Sequence, residues 1–250
     1  MTNSLPVTGE KGMSAVLTMG ANKITGVTDP TNPQDAATKN YVDTKVGRLI
    51  AIQLLTVTGT YTRTAGATTG DVFLIGGPGG GGGAAATGAA QFSVGSGGGS
   101  GALTVALNVA LPATASITIG AKGSVNVGAS GGAGGTTSFT GGALTLTAPG
   151  GGAGIALGPS GPAGTPFGVP PGAGAAAGTF TGGSFASGGQ EGAYGIGALA
   201  AGTQALRGSG GMSTLWGFGW GGYGNALGPS SAAVAGFQGS AAAIIVVERT

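Results

Sequence analysis

The residues 215–223, Leu-Trp-Gly-Phe-Gly-Trp-Gly-Gly-Tyr, gather both tryptophans of the chain together with Phe218 and Tyr223. Trp216, Phe218, Trp220 and Tyr223 are the residue types enriched at binding hot spots, and their flat rings suit the apolar faces of sugars. Alternation of aromatic and glycine also fits a strand with one aromatic side, which would make the rings packing elements. Weaker versions of the same signal are Phe180 and Phe185, in Thr-Phe-Thr-Gly-Gly-Ser-Phe, and Tyr194. These seven aromatics are the candidate binding residues.

Other chemistry is poorly supplied. Polysaccharide hydrolysis needs two carboxylates set about 5 to 9 Å apart. The glycine-rich stretch from 72 to 247 offers Glu191 alone, with Asp71 and Glu248 at its margins. Residues 77–82, Gly-Pro-Gly-Gly-Gly-Gly, satisfy a dinucleotide fingerprint in form, but they run into glycine and alanine, not into a helix start that could hold a pyrophosphate. A phosphate-binding loop of the Lys-Ser/Thr type fails because Gly83 is followed by Ala84-Ala85-Ala86. With no Cys and no His, zinc centres of the usual kind and most hydrolytic triads are excluded. No catalytic residue, metal site or cofactor is therefore expected, and a net charge of +2 is too small for a nucleic-acid footprint.

The elements that would carry the aromatics are unusual. Of 250 residues, 60 are Gly and 12 are Pro, while only 6% are charged and 41% are hydrophobic. Charge-driven disorder does not fit that balance. Eleven of the charges fall at or before Asp71, and from 72 to 247 only Lys122, Glu191 and Arg207 remain. These three read as exposed loop residues. The chain thus reads as a polar stalk and a glycine-rich head. No apolar run approaches the ~20 residues of a membrane helix, and the start of the sequence lacks the basic and apolar regions of a secretory signal.

In the stalk, residues 15–27 suggest a short hairpin around Gly-Ala-Asn. A helix is expected from about Pro33 to Val46, with Asn32 as cap and Asp35 near the positive end of the dipole. Its stripe, Val42, Val46 and Leu49, has coiled-coil spacing, and so short a helix needs self-association to persist. In the head, strands are expected at 48–63, 71–75, 91–94, 102–111, 116–119, 124–127, 136–139, 143–148 and 241–247, a spacing that suggests an all-β sandwich. The first and last strands should lie together. Between 149 and 240 neither helix nor sheet fits, and packed three-residue-per-turn extended helices are the conformation that accepts Gly, Ala and Pro together.

The stretch 19–43, Met-Gly-Ala-Asn-Lys-Ile-Thr-Gly-Val-Thr-Asp-Pro-Thr-Asn-Pro-Gln-Asp-Ala-Ala-Thr-Lys-Asn-Tyr-Val-Asp, resembles a repeat of tailed-bacteriophage and prophage tail fibres. The head is similar to their glycine-rich C-terminal domain through Gly59-Thr60-Tyr61-Thr62, residues 71–77, 91–95, 117–120 and 134–139, and the closing Ile244-Ile245-Val246-Val247-Glu248. A looser similarity is to the polyglycine-helix adhesins that tip T-even phage long fibres. The resemblance implies an all-β fold with a short N-terminal trimeric helix and a glycine-rich sandwich head carrying packed polyglycine-type helices. The expected divisions are an attachment segment at 1–14, a stalk at 15–47 and a head at 48–250. Implied partners are two further copies through Tyr41, Val42, Val46 and Leu49, another tail or baseplate protein through the N-terminus, and a bacterial lipopolysaccharide or outer-membrane protein. The implied function is non-enzymatic adhesion by a distal fibre component of the virion. The alternative is a purely structural tail component, in which the aromatic segment is buried and cells are not bound.

Overall fold

The computed structural model describes residues 20–45, 47–160, 167–181, 184–193, 195–197, 208–211 and 217–250. Contacts divide the chain into two units, Met1–Lys45 and Val46–Thr250.

Among its described residues the first unit has one short helix, α1 (Lys39–Asp43). It begins six residues later than the sequence suggests, for a local reason. The Asp35 carboxylate accepts from the N–H groups of Thr31 and Asn32, both at 2.8 Å, and so closes a turn where a helix was expected to start. These bonds also hold the Asp35 carboxyl below its ordinary pKa. Thr38 takes over as cap, its hydroxyl accepting from the Tyr41 N–H at 3.0 Å while donating to Asp29 at 3.1 Å. An ion pair joins Lys39 to Asp43, and the Lys45 ammonium lies 3.9 Å from the centre of the Tyr41 ring. The described part of the expected hairpin, 20–27, has no strand, and Gly20 and Gly26 take left-handed turns there at φ +55° and +74°. Val46 lies outside the described residues. Leu49 opens a strand in the second unit, so the expected helical stripe does not continue to it.

The second unit is all-β, and every strand ladder in it is antiparallel. In chain order the longer strands are β1 (Leu49–Leu55), β2 (Gly59–Thr62), β3 (Thr69–Ile75), β4 (Phe92–Gly95), β5 (Leu103–Ala110), β6 (Thr114–Thr118), β7 (Thr137–Gly141) and β8 (Leu144–Ala148). Short ones follow: β9 (Ala156–Ser160), β10 (Phe167–Val169), β11 (Phe180–Thr181), β12 (Phe185–Ser187), β13 (Gly195–Gly197) and β14 (Ala226–Leu227); the closing strand is β15 (Ala243–Arg249). One five-stranded sheet has the order β1-β15-β3-β5-β12 and another β11-β8-β7-β6-β2. Their inward residues, among them Val72, Leu74, Ile244, Val246, Ala106, Tyr61, Ile117, Phe139 and Leu146, form one buried cluster. Tyr61 and Phe139 pack with ring centres 5.3 Å apart. The first and last apolar strands do lie side by side, since β1 pairs β15.

The strand expected at 124–127 is absent, and so is regular structure over most of the glycine-rich sequence. In its place is a repeating main-chain pattern. From residues 76–84, the N–H groups of Gly76, Gly79 and Gly82 donate to Ala102, Gly99 and Ser96, all at 2.9 Å. Those of Gly77, Gly80 and Gly83 donate to Gly135, Gly132 and Ala129, and those of Gly81 and Ala84 to Phe237 and Val234. Each third residue therefore addresses the same neighbour. A strand alternates between two sides, whereas this segment addresses three. Pro78, which has no N–H, occupies the third row, where its absence from the donors leaves no amide stranded. Residues 95–102 repeat the pattern. Gly95, Gly98 and Gly101 donate to Asn225, Gly222 and Gly219; Ser96, Gly99 and Ala102 donate to Ile155, Gly152 and Pro149; Gly97 and Ser100 donate to Ala193 and Gln190.

Such bonds order ten segments in three layers. The middle layer is 120–128, 76–84, 95–102 and 188–193; one outer layer is 129–135, 149–156 and 170–178; the other is 208–211, 219–225 and 234–242. Glycine is required here by close approach, not by unusual φ. A Cβ on Gly79 would overlap the Gly152 carbonyl oxygen, and one on Gly221 would overlap that of Gly98. Most segments are continuous at one end with sandwich strands: 76 follows β3, 102 precedes β5, 149 follows β8 and 242 precedes β15. At the other end lie the strands β4, β9, β10, β13 and β14.

Candidate functional site

Two of the three candidate carboxylates are engaged in bonds within the fold. Glu248 is fully buried, and its Oε1 accepts from the Tyr61 hydroxyl at 2.5 Å, Gln53 Nε2 at 3.0 Å and the Thr64 N–H at 3.1 Å. Burial alone pushes this carboxyl up, but the bonds from Thr64, Tyr61 and Gln53 outweigh it and hold its pKa below the ordinary value. The same burial, with the bond to Glu248, raises the Tyr61 phenol. Asp71 forms an ion pair with Arg249 at 2.6 Å and accepts from the Asn108 N–H at 2.9 Å, contacts that lower its pKa. Both acids thus join β15 to the surrounding strands and loops. Glu191 is exposed, as is Lys122. Arg207 lies outside the described residues.

The aromatics expected to act together are dispersed. Trp216 and Tyr194 lie outside the described residues. Phe218 lies at the sandwich end of the layers, where it lines an apolar groove with Ile52, Leu54 and Ile245. Phe180 and Phe185 sit on the edge strands β11 and β12, 41% and 46% exposed, on the opposite margin of the sandwich from β1 and β2.

Trp220 and Tyr223 are brought together, but by a period the sequence reading did not use. Within 219–225, a Cβ on Gly221 or Gly224 would strike the carbonyl of Gly98 or Gly95, and one on Gly222 the carbonyl of Phe237. The 220 and 223 positions, three residues apart, alternate with these close-packed glycines, and the sequence places two large rings there. Trp220 is half-buried and Tyr223 is 47% exposed. In the adjoining segment Phe237 donates its N–H to the Tyr223 carbonyl at 2.8 Å, and its ring is 47% exposed. The sequence reading missed Phe237. The available signal was its setting in Gly-Phe-Gln-Gly, where residues flanking close-packed glycines must point outward.

The outer faces of the two large sheets differ sharply. On the second sheet, Thr60, Ser116, Thr140, Thr145 and Thr181 are cross-strand neighbours in one exposed hydroxyl row. On the first, the corresponding row is Leu54, Ile245, Phe73, Val105 and Phe185, entirely apolar. Ile52 and Leu54 at its β1 edge remain 62% and 55% exposed. Polar residues are the usual outward complement of a sandwich; here Ile245 and Val105 are already buried within the chain, and the exposed apolar residues of the row are Leu54 and Phe185 at its ends.

No protein-family model matches the chain, and no curated protein matches it. Among the described residues no acidic cluster could hold a metal ion, and no helix is long and apolar enough to cross a membrane.

Proposed function

We propose that this protein is a non-enzymatic receptor-binding component of a bacteriophage or prophage tail fibre, recognising lipopolysaccharide or an outer-membrane protein on a bacterial surface. The observation that carries this reading is the layered glycine region. Its segments, bonded at every third residue, fit polyglycine-II helices with three residues per turn, which have no internal hydrogen bonds and depend on neighbours. Such a bundle is a stiff scaffold that can hold variable connections at its far end, as adhesion to changing cell surfaces demands. Those connections are laced together: the Thr87 hydroxyl donates to the Gly228 carbonyl at 2.6 Å, and the Ser230 N–H donates to that of Gly88 at 3.0 Å.

Homotrimerisation belongs to the same reading. Val42 and Leu49 are 48% and 54% exposed, Tyr41 is half-buried, and the exposed Ile52 and Leu54 on β1 offer further apolar surface for a copy. Three heads add weak contacts as avidity. The N-terminal residues would join the fibre to another tail or baseplate protein, placing the head at the distal end of the virion fibre.

The test is binding of labelled protein to a panel of intact Gram-negative cells, alongside light scattering. Specific binding to some strains, with a mass three times the 23.0 kDa chain, is expected. Monomer mass overturns the trimer, and absence of binding favours the structural role.

A further inference from the structure

We infer that the two margins of the first sheet are complementary halves of a head-to-tail contact between copies of this chain, in which Phe185 of one copy enters the apolar groove beside Ile52 and Leu54 of the next. This inference rests on the homotrimer reading above and names the surfaces that meet.

Three observations carry it. First, both margins are open and unguarded. β1 pairs with β15 alone and β12 with β5 alone, so each leaves one side of its main chain without a ladder partner. Such edges are ordinarily blunted by charged side chains or proline. Residues 49–62 and 172–190 contain neither.

Second, the exposed apolar side chains of the two margins stand at the same levels. Leu54 and Phe185 are the ends of one cross-strand row, joined through Ile245, Phe73 and Val105. Ile52 lies in the next row with Val247 and Asp71. On β5 that row reaches the irregularity beside Leu107, whose neighbour Asn108 donates its N–H to Asp71 at 2.9 Å. Ile52 and Leu54 are 62% and 55% exposed, and Leu107 and Phe185 are 47% and 46% exposed. A rotation about an axis parallel to the strands leaves every row at its own level. It therefore brings Phe185 of one copy to Leu54 of the next, and Leu107 to Ile52.

Third, one margin has a groove and the other a ring to fill it. Ile52, Leu54, Ile245 and Phe218 line an apolar groove of about 360 Å³. Filling it with an aromatic side chain removes apolar surface of both copies from water. Because the two meeting surfaces differ, each contact leaves a free margin at either end of the assembly until the chain of contacts closes into a ring. A closed ring of three leaves neither margin open.

The test is cross-linking of the full-length double variant Leu54→Cys/Phe185→Cys in dilute solution, by oxidation and in parallel by a short bismaleimide, with each single variant alongside and the native mass measured by light scattering. The native chain has no cysteine to interfere. Within one copy the two positions are four strand spacings apart, about 19 Å, too far for a disulfide. Covalent dimers and trimers are expected from the double variant, and none from either single variant above the native background. Melting of the reduced variants close to that of the native chain shows that the fold persists. A native trimer whose double variant yields no covalent species by either reagent overturns the contact and leaves the homotrimer. Cross-linking by Leu54→Cys alone overturns it in favour of a β1-to-β1 contact. Monomer mass of the native protein removes the homotrimer and the contact together.

Discussion

The sandwich and the glycine layers are adjoining parts of one unit held by opposite means. In the sandwich, large side chains do the work: Phe139, Leu74, Leu146, Tyr61 and Ile244 are all buried to 1% exposure or less, and the ladders orient them. In the layers the interior is mostly glycine, with only small side chains such as Ser96, Ser100 and Ala102 among it, and the main chain bonds outward in three directions. The difference teaches where each region is vulnerable. A sandwich loses stability when atoms are removed, whereas a layered glycine bundle loses it when atoms are added.

That contrast can be broken or sharpened by substitution, and the largest effect is expected in the sandwich. Phe139→Ala removes a fully buried ring and should cost about 3–5 kcal/mol, read as the loss in a denaturant unfolding curve. Gly98→Ala adds one methyl group against the Gly79 carbonyl and should cost about 1–3 kcal/mol. An ordinary Gly→Ala effect there would sink the close-packing account. Glu248→Gln should cost about 1–3 kcal/mol at neutral pH by weakening bonds to a buried carboxylate. Because the folded pKa values of Glu248 and Asp71 are depressed, their stabilisation is present above the unfolded carboxylate range near pH 4. It is lost as pH falls through the folded values. Melting temperature should therefore fall with acid below about pH 4, and Glu248→Gln should flatten that slope. At the small end, Gly158→Ala, where a Cβ meets nothing within 4 Å, should change stability by less than about 0.5 kcal/mol.

Much of the sandwich was legible because β-branched runs bounded by glycine have few alternatives. Val-Phe-Leu-Ile at 72–75 and Ala-Ile-Ile-Val-Val at 243–247 became the paired strands β3 and β15. In the glycine region the sequence disfavoured long helices and strands, since Gly, Ala and Pro fit them poorly, but the short strands β9–β14 between 149 and 240 were not expected. Its layer order was not, because the partner of each segment is set by long-range bonds such as Gly77 to Gly135. The aromatic segment misled for a related reason: Trp-Gly-Phe-Gly-Trp reads as period two, while Trp220 and Tyr223 fall in one row at period three. Phe218 consequently parts from them and meets β1. In the first unit, the Asp35 carboxylate could serve either a helix start or a closed turn, and its reach to Thr31 and Asn32 decided for the turn.

Amide hydrogen exchange of the glycines at 79–83 and 97–101 tests most directly whether main-chain bonding in three directions holds the layers. Each of those N–H groups donates a bond at 2.8–3.1 Å. Slow exchange approaching that of β3 and β15 is the expected result, with the slowing shared across consecutive residues and not alternating as at a sheet edge. Exchange at the rate of an unstructured glycine linker, or protection at every second residue only, would contradict it.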